Sequence, residues 1–240
     1  MKKLMISLFM LISISAFAQP WQNITGDGNV KKETRQVSGF TSLSSHGAMD
    51  VQISYGNSNS IEIQADENLL PYIETTVEDG KLTIKPKKNV NLKSRSKIIV
   101  SVSMTKINGL QLSGSGNING DGNFTSDANT NVMVSGSGNI KLNSGSFKDL
   151  GLSVSGSGNI DLKKGTADNV HIAVSGSGNV DCSGITSDNV DAKISGSGNA
   201  RVNANKSVDA SISGSGNVFY KGTATNISSK TVGSGKVIKI

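Results

Sequence analysis

The chain is defined first by what it lacks. Its 240 residues hold one Cys, three Pro, two His and one Trp, and aromatic residues make up only 4%. A single Cys (Cys182) excludes any internal disulfide, so an extracellular form needs a large or repetitive core for its stability. Three Pro and no Gly at every third position exclude a collagen helix. Two His, His46 and His171, stand in no metal-ligand spacing. Charge of one sign is also missing. Removing Lys2 and Lys3 with the leader described below leaves 22 basic against 18 acidic residues, which gives no case for a nucleic-acid partner. No motif for a cofactor is present, and none is expected.

What the chain has is Gly, 28 of 240 residues, against a usual share of about 7%. It also has an amino-terminal export signal. Lys2 and Lys3 precede an apolar run from Leu4 to Phe17, and Ala16-Phe17-Ala18 matches the small-x-small cleavage pattern, so the mature chain is expected to begin at Gln19. The apolar run falls short of the roughly 20 residues a membrane helix needs. The expected organisation is a signal peptide over 1–18, an extension over 19–36 and one domain over 37–240, with no transmembrane segment in the mature chain. Localisation is exported, to the periplasm, the cell surface or the medium.

The Gly residues are placed by a repeat. Six copies of S-G-S-G-N begin at Ser113, Ser135, Ser155, Ser175, Ser195 and Ser213, and Val232-Gly233-Ser234-Gly235-Lys236 is a worn seventh. Successive spacings are 22, 20, 20, 20, 18 and 19. The residue after each Asn is apolar in all seven copies, from Ile118 to Val237. Apolar residues also stand five and seven positions before the Asn. Steps of two are strand periodicity, and no stretch of the repeat carries the i, i+3, i+4, i+7 pattern of a helix. A fixed period near 20 is too short for a strand-helix-strand unit and suits one coil of a β-solenoid. Each coil reads as a strand, a bend at the Gly pair, a second strand and a turn at pairs such as Lys148-Asp149, Asp168-Asn169 or Asp188-Asn189. Equivalent residues then stack about 4.8 Å apart.

Asn117, Asn139, Asn159, Asn179, Asn199 and Asn217 are expected to form a structural amide ladder. Read functionally, the same column of Ser and Asn is a repeated polar strip for an extended sugar. Asp161 and Asp181, with Asp168 and Asp188, fall at equivalent places in neighbouring coils and are candidates for Ca²⁺ or acid/base chemistry, although Lys141 and Arg201 interrupt the first column. Cys182 matches Leu142 and Leu162 in the repeat and is expected to point inward.

Residues 37–107 are β-rich without the motif and read as an irregular cap on regular coils over 108–240. Gly26-Asp27-Gly28-Asn29-Val30 and Ser44-Ser45-His46-Gly47-Ala48-Met49-Asp50-Val51 look like degenerate copies, Asp66 like the cap of a short helical turn, and Asp79-Gly80 like a two-residue hairpin. The strongest charge feature is Lys81, Lys85, Lys87, Lys88, Lys93, Arg95 and Lys97, with no acid between them. It is either a solvated edge or a patch for anionic envelope ligands.

The S-G-S-G-N-I repeats, preceded by Val37-Ser38-Gly39-Phe40, by Ala65-Asp66-Glu67-Asn68-Leu69-Leu70-Pro71-Tyr72-Ile73 and by Glu78-Asp79-Gly80, resemble a bacterial family of unknown function. It is labelled "putative auto-transporter adhesin, head GIN domain" and is common in Bacteroidetes. The resemblance spans Val37 to Tyr220. It implies an exported, all-β, right-handed parallel β-helix and brings no catalytic residues. The function expected from these readings is a non-enzymatic, adhesin-like interaction module whose partner is a polysaccharide or another envelope component. The alternatives are a polysaccharide lyase or hydrolase on a β-helix, and a self-associating structural protein of the envelope.

Overall fold

The computed structural model describes residues 21–240. The expected signal peptide over 1–18 and the first two residues of the expected extension lie outside them.

The chain is almost entirely strand, wound into a parallel β-solenoid with about seven regular turns. Along one wall, β10 (Gly109–Gly114), β12 (Thr130–Gly136), β13 (Asn139–Gly156), β15 (Gly165–Gly176), β16 (Asn179–Gly196), β17 (Asn199–Gly214) and β19 (Asn226–Gly233) pair in parallel. A second wall runs through β11 (Asn117–Ser126), the start of β13, β14 (Asn159–Leu162), the starts of β16 and β17, β18 (Asn217–Lys221) and β20 (Lys236–Lys239). The alternating pattern places Leu110, Val132, Leu152, Ile172, Ala192 and Ala210 in one inward column, and Ile118, Ile140, Ile160, Val180, Ala200 and Val218 in another, all at most 3% exposed. Cys182 belongs to the same interior at 1% exposed.

A third wall replaces the expected turn. β13 and β16 are each continuous for 18 residues, so Asp149, Asn169 and Asn189 stand in paired register along strands. In register along this wall stand Ser126, Phe147, Ala167, Ser187 and Ala204, all buried and of uneven size, while Phe124 pairs with Gly145. The wall also absorbs the changes in coil length. The pairing slips between Gly120 and Asn123, and again between Asp181 and Thr186. The coil of 22 residues encloses Phe124, and the coil of 18 encloses Ala204, as close packing of the interior demands.

The two Gly of each bend have different reasons. The first, from Gly114 to Gly233, holds φ between +115° and +131°, a region that L side chains rarely occupy. The second lies under the coil before it: a Cβ on Gly178 would sit 2.1 Å from the carbonyl oxygen of Gly158.

The stack extends beyond the first S-G-S-G-N copy, and not in chain order. β3 (Ser42–Gly47) and β4 (Asp50–Tyr55) pair in parallel with β10 and β11 on one side. On the other side they pair with β7 (Lys81–Pro86) and β9 (Ile99–Met104). The later segment 81–104 is therefore the outermost coil, with 42–55 inserted beneath it. In this inner coil His46-Gly47-Ala48-Met49-Asp50-Val51 occupies the register of S-G-S-G-N-I. Antiparallel strands close the end: β2 (Val30–Arg35) on β5 (Ser60–Asp66), β5 on β9, and β6 (Ile73–Glu78) on β7 through the Asp79-Gly80 hairpin. This pairing covers parallel edges that would otherwise be free. Because β2 runs antiparallel here, Gly26–Val30 is not a stacked coil. Residues Glu67–Tyr72 form a 3-10 turn whose N-cap residue, Asp66, makes no capping bond. Its carboxylate is used elsewhere.

Candidate functional site: a basic cleft at the first bend

In the regular coils the bend between walls takes two residues, as at 137–138 between β12 and β13. In the outermost coil the same bend, residues 87–98 between β7 and β9, takes twelve. Within it β8 (Val90–Lys93) leaves the stack and pairs in parallel with β1 (Gln22–Thr25). The loop overhangs the bends of the next two coils, Gly47–Met49 and Gly114–Ser115, and encloses a cleft of about 910 Å³. Met49 stands where the next coil has Gly116. With the neighbouring bend swung outward, Met49 has space for a side chain and is buried beneath the loop.

The long loop is pinned at several points. Gln22 N–H donates to Asn89 O at 2.8 Å, Gly26 N–H to Lys93 O at 2.9 Å, and Lys87 N–H to Tyr72 O at 2.9 Å. Asp66, fully buried, accepts the Arg95 backbone N–H at 2.9 Å and lies 3.4 Å from the Ser94 hydroxyl. Burial alone would raise the pKa of this carboxyl, but the Arg95 backbone N–H, with the donors of Ser96 and Ser94, holds it below its ordinary value. A buried carboxylate thus ties down the loop that carries the cations.

Five of the seven cations of the basic segment line the cleft: Lys87, Lys88, Lys93, Arg95 and Lys97. No carboxylate lines it. Lys87 Nζ lies 5.8 Å from the Tyr72 ring centre, and Lys97 Nζ lies 3.9 Å from Asp50 Oδ2. The other two cations belong to a different surface. Lys85 Nζ is 3.8 Å from Glu74, and Lys81 pairs in register with Glu78. His46 on that side has its pKa lowered by burial and then by Lys85 and Lys81. The floor of the cleft is apolar, with Trp21, Met49, Val90, Leu92 and Ile98. Sequence reasoning marked the cations but missed this floor. The one available signal was the sole Trp standing in an otherwise polar extension.

The Asn column is arranged very differently. Asn139 donates Nδ2 to Asn117 Oδ1 at 3.0 Å, and Asn159, Asn179, Asn199 and Asn217 repeat the contact at 2.8 to 3.1 Å. From Asn179 onward the backbone N–H adds a second bond to the same oxygen, which fixes the amide orientation. Asn117 donates to Asp50 at 2.8 Å, and Lys236 N–H donates to Asn217 at the other end. Asp50 can only accept, so it sets one polarity for the whole column. A shorter column repeats the design, with Asn189 donating to Asn169, Asn169 to Asp149, and the Ser207 hydroxyl to Asn189. Each interior Asn spends its oxygen and one N–H on its neighbours. Three of the four candidate acids are engaged: Asp161 lies 2.5 Å from Lys163 Nζ, Asp181 accepts from Ser183 at 2.7 Å, and Asp188 lies 2.7 Å from Lys206 Nζ. No group of three or more metal-ligating side chains occurs among the described residues.

Motif spacing, cap and bends together agree with one family. Residues 39–224 match "Putative auto-transporter adhesin, head GIN domain". The chain belongs to this family. Several solved structures share its form. A "putative adhesin" from Bacteroides fragilis superposes with TM-score 0.81 at 22% identity, covering 90% of this chain and 100% of its own. A "putative lipid binding protein" from Parabacteroides distasonis gives 0.74 at 26%, covering 91% and 100%. A "putative adhesin" from Parabacteroides merdae gives 0.68 at 25%, covering 91% and 99%. The comparison with curated proteins gives no match. Among the described residues of this head GIN protein, no helix is long and apolar enough to cross a membrane.

Proposed function

We propose that the protein is an exported, non-enzymatic, adhesin-like module that holds an anionic component of the cell envelope in the basic cleft. The observation that carries this reading is the convergence of Lys87, Lys88, Lys93, Arg95 and Lys97 around one cavity that no carboxylate lines. Cations gathered on a concave wall raise the local concentration of anions, and a guanidinium matches the geometry of phosphate or carboxylate. The contrast with the Asn column supports the choice of site, since that column's hydrogen-bonding groups are largely engaged with each other. The family description and the adhesin names of its structural neighbours support an interaction role.

The ligand class is an envelope molecule bearing phosphate or carboxylate groups. Purified protein is expected to bind immobilised polyanionic glycans at low salt and to release them as ionic strength rises. Lys88→Glu with Arg95→Glu should weaken that binding at least tenfold while the melting temperature stays within a few degrees. Absence of salt-dependent binding to every polyanion tried would remove this reading. Export is tested separately, by finding a mature chain that begins at Gln19 outside the cytoplasm.

A further inference from the structure

We infer that the occupant of the basic cleft is an anionic amphiphile, with a phosphate on the cationic rim and a single hydrocarbon chain along the floor. This inference rests on the anion-binding reading above and goes further by naming the other half of the ligand. The floor carries the argument. Trp21, Met49 and the loop residues Val90, Leu92 and Ile98 come from three separate stretches of chain and converge on one cavity. A cleft built for sugar hydroxyls would line its floor with carboxylates and amides in bidentate reach. Here no Asp, Glu or Gln lines the cavity; its two side-chain amides are Asn89 and Asn91, and Asn91 donates to Asn23.

The volume of about 910 Å³ lies within the roughly 300–1,000 Å³ of small-molecule sites. Trp21 is 68% exposed. An indole left in water beside buried apolar side chains gains from a chain laid over it, and the five cations supply the charge complement for a headgroup. Met49 in place of the bend Gly makes the same point from the sequence. The position is freed from backbone crowding and is filled with a flexible, polarizable apolar side chain suited to an adaptable surface.

Trp21 is the only Trp in the chain, so its emission reports on the cleft directly. The test is titration of the purified full chain with methyl, butyl, octyl and dodecyl phosphate, each below its micellar concentration, and with dodecyl maltoside as the uncharged control. The expected result is a blue shift of Trp21 emission with the long-chain phosphates, and a Kd that tightens about tenfold for every two methylenes added up to the length of the floor. Dodecyl maltoside should bind at least tenfold more weakly than dodecyl phosphate. Leu92→Gln should flatten the chain-length dependence, weakening dodecyl phosphate far more than methyl phosphate, whereas Lys88→Ala with Arg95→Ala should weaken every phosphate.

Equal affinity for methyl and dodecyl phosphate overturns the amphiphile and leaves the anion site standing. Equal affinity for dodecyl phosphate and dodecyl maltoside overturns the assignment of the headgroup. No binding of any phosphate or polyanion removes the underlying function as well. The chain-length series uses the unaltered protein, so it stands even where a variant folds poorly.

Discussion

The regular stack and the first bend are built at the same corner of the same solenoid, yet they treat polar groups in opposite ways. From residue 117 onward each coil repeats its neighbour, so every Asn meets an Asn and the two satisfy each other. Repetition yields stability and leaves little for a ligand. In the outermost coil the two-residue bend becomes twelve residues, and its cations face a cavity lined by no carboxylate. The difference teaches that in a repeat protein binding chemistry is to be sought where the repeat fails. A residue repeated in every coil is explained by the coil. A residue that breaks the pattern, such as Met49 or Arg95, requires another reason.

The largest expected effect tests the backbone crowding of the regular stack. Gly178→Ala places a Cβ 2.1 Å from the Gly158 carbonyl oxygen, and coils on both sides prevent relief. Urea unfolding should show a loss of about 3 kcal/mol or more. Gly39→Ala, at φ +72° with no atom within 4 Å of its Cβ, should cost only about 1 kcal/mol. Equal costs would mean that the stack yields more easily than its geometry implies.

The next effect concerns the pin beneath the cleft. Asp66→Ala leaves the Arg95 N–H without its buried partner and should cost about 2–3 kcal/mol, with weaker anion binding as the loop loosens. The contribution of Asp66 depends on pH in a defined direction. Its folded pKa is lowered from an ordinary 3.8, so its stabilisation is fully present above about pH 4 and is lost as pH falls through the folded value. Denaturation curves between pH 2 and 6 should show Asp66→Asn with a flatter acid limb than the parent. Parallel curves would refute the assignment.

A smaller effect is expected in the stack. Asn159→Ala removes one rung and should cost about 1 kcal/mol, with anion affinity unchanged by titration. Lys88→Ala with Arg95→Ala should do the reverse, moving stability by no more than about 0.5 kcal/mol while lowering affinity. A loss of binding in the Asn variant would shift the site to the column.

The last prediction is an absence of change. Burial, with help from Asp181, pushes the Cys182 thiol up to about 12. A thiol reagent at pH 8 should label the protein only as it unfolds, and rapid labelling of the native chain would show that the interior opens.

Much of the fold was legible in the sequence because the repeat states one local rule many times. Two Gly per coil, an apolar residue after each Asn and steps of two before it leave a stacked β-solenoid as the consistent architecture. The inward position of Cys182 and the Asp79-Gly80 hairpin follow from the same local rules. What only the tertiary structure decided depends on contacts distant in sequence. The third wall was hidden because its inward column, Ser126, Phe147, Ala167, Ser187 and Ala204, mixes polar with apolar residues and its length varies from coil to coil. The position of 42–55 beneath 81–104 cannot be read from a chain order that suggests the opposite sequence of layers. The cations of the cleft are neighbours in sequence and were visible as a run, but its floor joins residue 21 to residue 98. Local periodicity determines which way a side chain points. Only the packing of one coil on another determines what it meets there.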